Sequence, residues 1–411
     1  MSPNHLTRAT GSAALFLVLL VACSEPGTDP APPDDRAAAG PQNPALVSSG
    51  RQIFRFETFG NETFWTDTLD LHEEIQAGLS PNAALQVGLK VDVDALPADL
   101  KAQLAAGEVN LDDPNVTVTL IGHDAVVGVR GQLDGTTLTR VGITCALCHS
   151  TVDNSFSPLG IGRRLDGWPN RDLDVGAIVA FTQQIEQELT AEQIAVYQSW
   201  GPGRYDPRFN QDEENVPVIL PPAFGLRHVA RELYTGDDVV SYWNAYVAIT
   251  QMHGHGTFVD PRIGVSVSNP PDLVSSKLDA LRAYQFSLPA PDPQPGSYDV
   301  AAARRGRAIF NAQGRCASCH MGDVLTDINA GRLHDAEDVG QNEDYALRSV
   351  TQQYRTTPLR GLWNPPQLDG PYFHDGSATT LEEVVQHYDQ LFELQLSAQQ
   401  QSDLVEYLKS L

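Results

Sequence analysis

The sequence predicts a mainly α-helical protein built from two similar helical units, with an α/β segment inserted into the first unit. Three observations predict this fold class. The pattern Cys-x-x-Cys-His occurs twice, at residues 145–149 and 316–320. The stretch GRQIF at residues 50–54 recurs as GRAIF at residues 306–310. Each unit also ends in a stretch with the period of an amphipathic helix.

The repeated stretches predict the helices that open and close each unit. GRQIF and GRAIF place Ile and Phe on one face of a helix. The closing helices are expected within residues 275–291 and 397–411, and their apolar stripes should pack in the core. Those stripes consist of Leu281, Tyr284 and Leu288 in the first unit and Leu404, Tyr407 and Leu408 in the second.

A long segment separates the first helix from the first Cys-x-x-Cys-His pattern, and we expect it to be an insertion at about residues 58–144. It contains a predicted helix in TLDLHEEIQAGLS, and the alternating stretch VTVTLIGHDAVVGVRG at residues 116–131 predicts a β-hairpin. The Pro-rich stretch PAPDPQPGSYD predicts a boundary between the two units. The expected domains are residues 50–292 and 296–411.

Composition excludes some classes of partner. The chain has 411 residues and a formal net charge of −25, with 27 Lys and Arg against 52 Asp and Glu. Binding to phosphate backbones requires a basic surface, so the sequence argues against nucleic acid as a partner. The acidic charge suits either solubility or docking onto a basic protein.

The N-terminus predicts export and lipid attachment. An apolar run follows Arg8 and is too short to span a bilayer. It ends in Leu-Val-Ala-Cys, which resembles the lipobox of bacterial lipoproteins. We therefore expect a signal peptide at residues 1–22, lipid on Cys23 and a disordered Pro- and Asp-rich tether over residues 23–49. Ser24 resembles the outer-membrane sorting pattern, which implies a protein held on the periplasmic side of the outer membrane.

The five cysteines are then fully distributed, one to lipid and two to each Cys-x-x-Cys-His pattern. Such a pair of cysteines is compatible with a thioredoxin-like redox site, with half of a zinc site, or with covalent c-type haem. Haem alone also uses the histidine, because two thioethers hold the porphyrin while the adjoining imidazole ligates the iron. We therefore predict two covalent c-type haems, held by Cys145, Cys148, Cys316 and Cys319, with His149 and His320 as axial ligands.

Few residues can supply the sixth ligand of the first haem. The chain has three methionines: Met1 leaves with the signal, and Met321 directly follows His320. Met252 remains, in a stretch that ends in glycines, and we predict it as the distal ligand. His253 and His255 are the alternatives, together with an open site.

The second unit has no methionine free for this role. Its sixth ligand is therefore His, Tyr, water or nothing. The candidates are His334, His374, His387 and Tyr388.

At residues 356–389, TTPLRGLWNPPQLDGPYFHDGSATTLEEVVQHYD resembles the C-terminal half of bacterial di-haem cytochrome c peroxidases and their relatives. The resemblance implies two cytochrome c-like helical haem domains. It also implies that the distal ligand lies fourteen residues after the histidine of FHDG, at Tyr388. Members often hold calcium between the domains, but no loop here specifies a calcium site.

One feature departs from the family pattern. In the peroxidases the C-terminal haem is ligated by Met and admits electrons, whereas the only available methionine here lies in the N-terminal unit. The roles of the two haems are then reversed, or peroxidase activity is absent.

Three functions are compatible with the sequence. The first is electron transfer with a redox partner such as a small cytochrome or a cupredoxin. The second is a haem enzyme, a peroxidase or oxygenase, that activates peroxide or oxygen at one open haem. The third uses the haems only as structural staples. Arg163, Arg164 and Arg360 are candidate partners for haem propionates, and no acid/base residue is assigned.

Overall fold

The computed structural model describes residues 43–186, 189–363 and 370–411. The predicted signal peptide and Cys23 lie outside these residues, as does most of the predicted tether. The helices are Pro44–Phe56 (α1), Glu62–Trp65 (α2), Leu71–Gly78 (α3), Pro81–Gln86 (α4), Ala98–Ala105 (α5), Pro114–Gly122 (α6), Ala146–His149 (α7), Val175–Glu186 (α8), Ala191–Ser199 (α9), Phe209–Asp212 (α10), Val240–Tyr246 (α11), Leu278–Ser287 (α12), Val300–Asn311 (α13), Asp344–Leu347 (α14), Leu381–Leu391 (α15) and Ala398–Lys409 (α16).

The strands of the described residues are short and pair in twos. They are Val91–Asp92 (β1), Val129–Asp134 (β2), Thr137–Ile143 (β3), Ser150–Val152 (β4), Ile161–Gly162 (β5), Arg164–Asp166 (β6), Arg204–Tyr205 (β7), Val218–Ile219 (β8), Gly256–Asp260 (β9) and Val265–Asn269 (β10). β1 pairs with β5 in parallel, whereas β2–β3, β4–β6, β7–β8 and β9–β10 are antiparallel. The fold is mainly α-helical, as predicted.

Two helix pairs repeat the same crossing. In the first pair, α1 crosses α12 so closely that a Cβ added to Gly50 would lie 1.8 Å from the Ala280 carbonyl oxygen. In the second pair, α13 crosses α16, and a Cβ on Gly306 would lie 1.9 Å from the Asp403 carbonyl oxygen. Each crossing therefore requires a residue without a side chain.

The aromatic residue one turn after each glycine packs in the same way. Phe54 meets Tyr284 edge-on, with ring centroids 5.4 Å apart, and Phe310 meets Tyr407 edge-on at 5.1 Å. Both phenylalanines are almost completely buried. This contact is the structural basis of the repeated GRQIF and GRAIF stretches.

The start of α1 corrects the predicted tether. The helix begins at Pro44, within the stretch that we expected to be disordered up to residue 49. Asn43 caps the helix by accepting a hydrogen bond from the Ala45 N–H, and Pro44 occupies the first turn. Both residue types favour a helix start at these positions.

The predicted hairpin at residues 116–131 is wrong in its first half. Residues 114–122 form α6, and the hairpin is made by β2 and β3. Asp113 caps α6, and Pro114 fits its first turn. The Thr117 hydroxyl donates to the Leu79 carbonyl, while Val118 packs in the core. Tertiary packing thus outweighs the strand preference of alternating Val and Thr.

The hydrophobic core of the 58–144 segment lies beside the first helix pair. Its buried residues include Trp65, Ile75, Ile121, Leu138 and Val141. The segment also contacts the rest of the chain through the β1–β5 pairing. It therefore forms one wall of the region that contains the first Cys-x-x-Cys-His pattern.

A buried ion-pair network joins the N-terminal and C-terminal parts of the chain. The Arg348 guanidinium donates to both carboxylate oxygens of Asp206, at 2.9 and 3.1 Å, and to Asp212 at 2.7 and 3.0 Å. Asp206 is 1% exposed. Such two-pronged contacts fix orientation as well as distance.

Gly306→Ala and Gly50→Ala should each destabilise the folded protein by at least ~1–3 kcal/mol, because the new methyl group overlaps the main chain of the facing helix. Urea denaturation followed by far-UV circular dichroism measures the effect. Gly78→Ala, at the end of α3 where an added Cβ meets nothing within 4 Å, is the control. It should be neutral or stabilise by up to about 1 kcal/mol. Equal midpoints for Gly306→Ala and Gly78→Ala would contradict the close crossing.

Candidate haem sites

The two Cys-x-x-Cys-His patterns form single helical turns with the same hydrogen bond. In the first motif, residues 145–149, the His149 N–H donates to the Cys145 carbonyl at 3.2 Å. In the second motif, residues 316–320, the His320 N–H donates to the Cys316 carbonyl at 2.9 Å. One turn therefore brings each histidine to the level of its first cysteine.

Both imidazoles are held so that one nitrogen can bind a metal. The His149 Nδ1–H donates to the Pro221 carbonyl at 3.2 Å, and the His320 Nδ1–H donates to the Leu325 carbonyl at 3.0 Å. A carbonyl only accepts hydrogen bonds, so Nδ1 carries the proton and Nε2 carries the lone pair. Burial lowers the pKa of His149 to about 4 and also lowers that of His320. Both imidazoles are therefore neutral at pH 7, as axial ligands require.

Cys145, Cys148 and Cys316 do not have the properties of reactive redox cysteines. Burial raises the pKa of Cys145 and Cys148 to about 12 and that of Cys316 to about 11. Reactive redox cysteines have lowered pKa values, so a thioredoxin-like role is not supported. Within the described residues, no group of potential metal ligands brings the two motifs together, as a shared zinc tetrahedron would require.

The first motif opens into a large apolar cavity of about 660 Å³. Cys145, Cys148 and His149 line it on one side. The 58–144 segment and α8 contribute most of the aliphatic wall, including Leu85, Val91, Leu120, Ile178 and Val179. An apolar pocket of this size, with an imidazole and two thiols at its wall, fits a porphyrin attached through thioethers.

Met252 lies in the wall of the same cavity, whereas the two competing histidines do not. It is 5% exposed and directly follows a π-helical turn, Val247–Gln251. His253 stacks on Phe64, with centroids 3.6 Å apart. The His255 ring bonds to the Thr63 hydroxyl at 2.8 Å and to the Pro270 carbonyl. The structure thus brings Met252, but neither histidine, into the cavity of His149.

Of the candidate ligands at the second motif, His334 has a ring nitrogen within 4.8 Å of the Cys319 sulfur. Tyr388 is a second candidate there. Burial raises the pKa of its phenol to about 12, and Cys319 and Cys316 add to the shift. This electrostatic contact places Tyr388 beside the second motif. The phenol therefore keeps its proton at neutral pH.

The other candidates at the second motif have hydrogen-bond partners elsewhere. His387 donates to the Val339 carbonyl at 3.0 Å, and His374 bonds to the Tyr354 hydroxyl at 3.0 Å. His334 bonds to Asp327 at 3.0 Å. Tyr388 and Met252 remain predictions, now with a position that supports them.

The three arginines predicted to meet haem propionates have other partners. Arg163 is exposed and pairs with Asp153 at 2.8 Å. Arg164 is buried and pairs with Asp92 at 3.2 Å. Arg360 donates to the Gly225 carbonyl at 3.3 Å. Arg171, an isolated arginine in NRDL with no distinguishing sequence pattern, has buried Nε and Nη1 atoms without a hydrogen-bond partner in the described residues.

Comparison with known proteins agrees with this geometry. Residues 303–411 match the family model described as cytochrome c. The methylamine utilization protein MauG of Methylorubrum extorquens is 33% identical over 130 residues, 27% of this chain and 35% of the relative. MauG of Methylophilus methylotrophus is 30% identical over 128 residues, 26% of this chain and 36% of the relative. About a quarter of the chain is thus similar to proteins of the di-haem cytochrome c peroxidase superfamily.

A further member of this superfamily is the cytochrome-c peroxidase IdrP1 of Pseudomonas sp. (strain SCT). It is 28% identical over 152 residues, 26% of this chain and 39% of the relative. The chain thus spans little more than a third of the length of these curated relatives. These matches imply covalently bound haem c, which the two motifs fit.

Solved structures overlap the chain only weakly. A MauG-like protein associated with microbial copper homeostasis is 17% identical, covering 48% of this chain and 74% of its own, with a TM-score of 0.31. A TM-score this low does not establish a shared arrangement. Among the described residues, no helix has the length and apolar character needed to cross a bilayer.

Met252→Ala should abolish any near-infrared charge-transfer band between the methionine sulfur and ferric iron. The absorption spectrum of the oxidised, haem-loaded protein measures this band. Met321→Ala, next to His320, is the matched control and should leave the band unchanged. A band that survives in Met252→Ala, or is absent from the wild type, would show that Met252 is not the ligand.

His253 should make stability depend on pH. Burial lowers its pKa from 6.5 to about 4, so the unfolded chain binds this proton more tightly than the folded one. The contribution of His253 to the free energy of unfolding is complete above pH 6.5 and declines as the pH falls towards 4. Between pH 7 and pH 5 the loss is roughly 2 kcal/mol.

His253→Phe keeps an aromatic ring on Phe64 and should remove this loss in urea titrations at the two pH values. The exposed His123 provides the control, because His123→Phe should retain the dependence of the wild type. A wild-type protein equally stable at both pH values would contradict the burial of His253.

Proposed function

We propose that the chain is a di-haem c-type oxidoreductase with two cytochrome c-like haem domains, in which one haem transfers electrons and the other reduces peroxide. Cys145, Cys148 and His149 hold the first haem, and Cys316, Cys319 and His320 hold the second. The observation that carries the proposal is the difference between the distal residues. A thioether lies in the first cavity, and a phenol lies beside the second motif.

Met252 suits the first haem for electron transfer. A methionine ligand favours the reduced iron and raises the reduction potential. The apolar lining from the 58–144 segment keeps water from the cavity, which limits reorganisation when the charge changes. This segment is proposed as an insertion of the first domain.

Tyr388 suits the second haem for a reaction with a small oxidant. Bound haems would supply the two electrons that convert peroxide and two protons into two waters. The Tyr388 phenol holds its proton at Oη because burial raises its pKa to about 12. Phe373 and Phe392 pack around the ring, with centroids 6.0 and 5.9 Å away, and fix it in place. In this arrangement Tyr388 controls access to the second site.

Electron transfer alone is the second candidate function. The burial of Tyr388 at the second motif also favours this function. A phenol that ligates the iron of the second haem firmly would leave no site for peroxide. The chain would then relay electrons between partners without a reaction of its own.

The proposed setting is the periplasmic side of the outer membrane, with lipid on Cys23. The support is the Leu-Val-Ala-Cys stretch and the short apolar run before it. We propose a small cytochrome or a cupredoxin as the redox partner. A net charge of −25 favours encounter with a basic partner at low ionic strength.

Peroxide titration tests the proposal, using exported protein whose intact mass shows two covalent haems and lipid on Cys23. The oxidised wild type should change its visible spectrum with peroxide. Tyr388→Phe should produce a five-coordinate high-spin haem and react at least tenfold faster, because the phenol no longer covers the site.

The control is Tyr298→Phe, in the segment between the two helix pairs, which should react at the wild-type rate. If both haems are low-spin and do not change with peroxide, in the wild type and in Tyr388→Phe, peroxide reduction is refuted and electron transfer is the function that remains. A mass with fewer than two haems would refute both functions.

A further inference from the structure

Arg171 is fixed next to the first motif by hydrogen bonds of its own segment. The Gly167 N–H donates to the His149 carbonyl at 2.8 Å, and the Asn170 N–H donates to the Cys148 carbonyl at 2.9 Å. The Asn170 side chain donates to the Gly88 carbonyl at 2.8 Å and reaches the Leu147 carbonyl at 3.4 Å. The position of Arg171 thus follows directly from that of the haem-binding turn.

Among the residues that the structure describes, the guanidinium of Arg171 has no carboxylate partner. Its Nε and Nη1 atoms are buried and have no hydrogen-bond partner in the part of the chain that the structure describes. The neighbouring carboxylate, Asp172, pairs with Lys90 instead. The groups that act on Arg171 electrostatically are the phenols of Tyr234 and Tyr372. Burial lowers the pKa of Arg171, which is the sign of a desolvated cation.

A second guanidinium, that of Arg355, also acts on Tyr234. Arg355 donates to the carbonyls of Leu233 at 2.5 Å, Glu232 at 2.8 Å and Thr356 at 3.2 Å. Its donors are therefore occupied by main-chain carbonyls, and burial lowers its pKa to about 10. Arg355 adds positive potential to the region, while Arg171 keeps free donors.

Tyr234 connects this positive region to the first cavity. Its ring lines the cavity, and its hydroxyl donates to the Ile219 carbonyl at 3.2 Å. Arg171 and Arg355 both act on this phenol. The Arg171 guanidinium therefore acts on a phenol in the wall of the cavity that contains Cys145, Cys148 and His149.

A buried guanidinium without an anion is strongly unfavourable, and the planar fork of arginine matches a carboxylate with two parallel hydrogen bonds. A porphyrin held by the first motif carries two carboxylates of this kind, its propionates. We propose that Arg171 binds a propionate of the first haem. This inference rests on the proposed function, because it requires a haem in that cavity.

The bound cation also sets the redox properties of the first haem. Reduction adds an electron, so a positive charge fixed near the porphyrin favours the reduced form. Arg171 belongs to the segment attached to the first motif, and its effect on the second haem should be smaller. The two haems thus differ in potential through this arginine as well as through their distal residues.

Spectroelectrochemical titration of the di-haem protein tests the inference. Arg171→Leu should lower the reduction equilibrium constant of the first haem at least tenfold, which is about 59 mV for one electron. The second haem should shift by less than half as much. A Cys145→Ser/Cys148→Ser double variant attaches only the second haem. Its titration shows which of the two reduction steps of the wild type belongs to which haem.

Arg171→Lys keeps the positive charge but lacks the planar fork of donors. The reduction equilibrium constant of its first haem should therefore stay within threefold of the wild-type value. Its propionate-bending band in resonance Raman should still shift, because the hydrogen bonds change. This variant also tests the inference if Arg171→Leu does not fold. Arg163→Leu removes an exposed charge from the same part of the chain and should change the equilibrium constant less than twofold.

If both haems are attached but Arg171→Leu changes the reduction equilibrium constant of the first haem no more than Arg163→Leu does, the propionate site is overturned. The proposed function then stays intact. Equal shifts of both haems, or an unchanged Raman band in Arg171→Lys, would overturn the propionate site too. A wild type without haem at the first motif would overturn both the site and the proposed function.

Discussion

The close crossing of two helices at one glycine is the contact on which each haem site depends. Gly50 against Ala280 and Gly306 against Asp403 let the main chains of α1 and α12, and of α13 and α16, touch directly. No side chain fits between them, so the angle and the depth of the crossing are fixed by backbone atoms. The aromatic contact one turn later then becomes a rigid wall, Phe54 with Tyr284 and Phe310 with Tyr407. The first cysteine of each motif, Cys145 or Cys316, packs against this part of the core.

From this shared scaffold, the two sites differ in what faces the metal-binding imidazole. The proximal side is the same in both, because each histidine donates Nδ1–H to a main-chain carbonyl. A carbonyl partner depends on the backbone alone, so the arrangement is insensitive to the surrounding sequence. Beyond the histidines the surroundings differ, because Met252 lies in the wall of the first cavity and the Tyr388 phenol interacts with the cysteines of the second motif. The ion pair of Arg348 with Asp206 links the two parts of the chain.

Much of the fold followed from the sequence, and the failures have particular causes. The predicted helices around residues 50–54, 306–310 and 397–411 are present, and Ser397 and Gln400 form the capping box of α16. The local sequence is enough to predict these helices, because each has an apolar stripe and a capping residue. The hairpin at residues 116–131 failed because alternating Val and Thr report a local preference, whereas Thr117 and Val118 are held by α3 and the core. The start of α1 was missed because Asn43 and Pro44 lie in a Pro-rich stretch whose composition predicts disorder.

The sequence by itself predicted the chemistry of attachment: it has two Cys-x-x-Cys-His patterns, each with two cysteines for covalent haem c and one histidine for the iron. These features depend on the spacing of residues within five consecutive positions, and such spacing can be read directly from the sequence. Only the tertiary structure placed Met252, and neither His253 nor His255, in the wall of the first cavity. It also gave Arg163, Arg164 and Arg360 partners within the protein. Distal ligands and counter-ions come from residues distant in the chain, and whether a side chain is free depends on partners that only folding brings beside it.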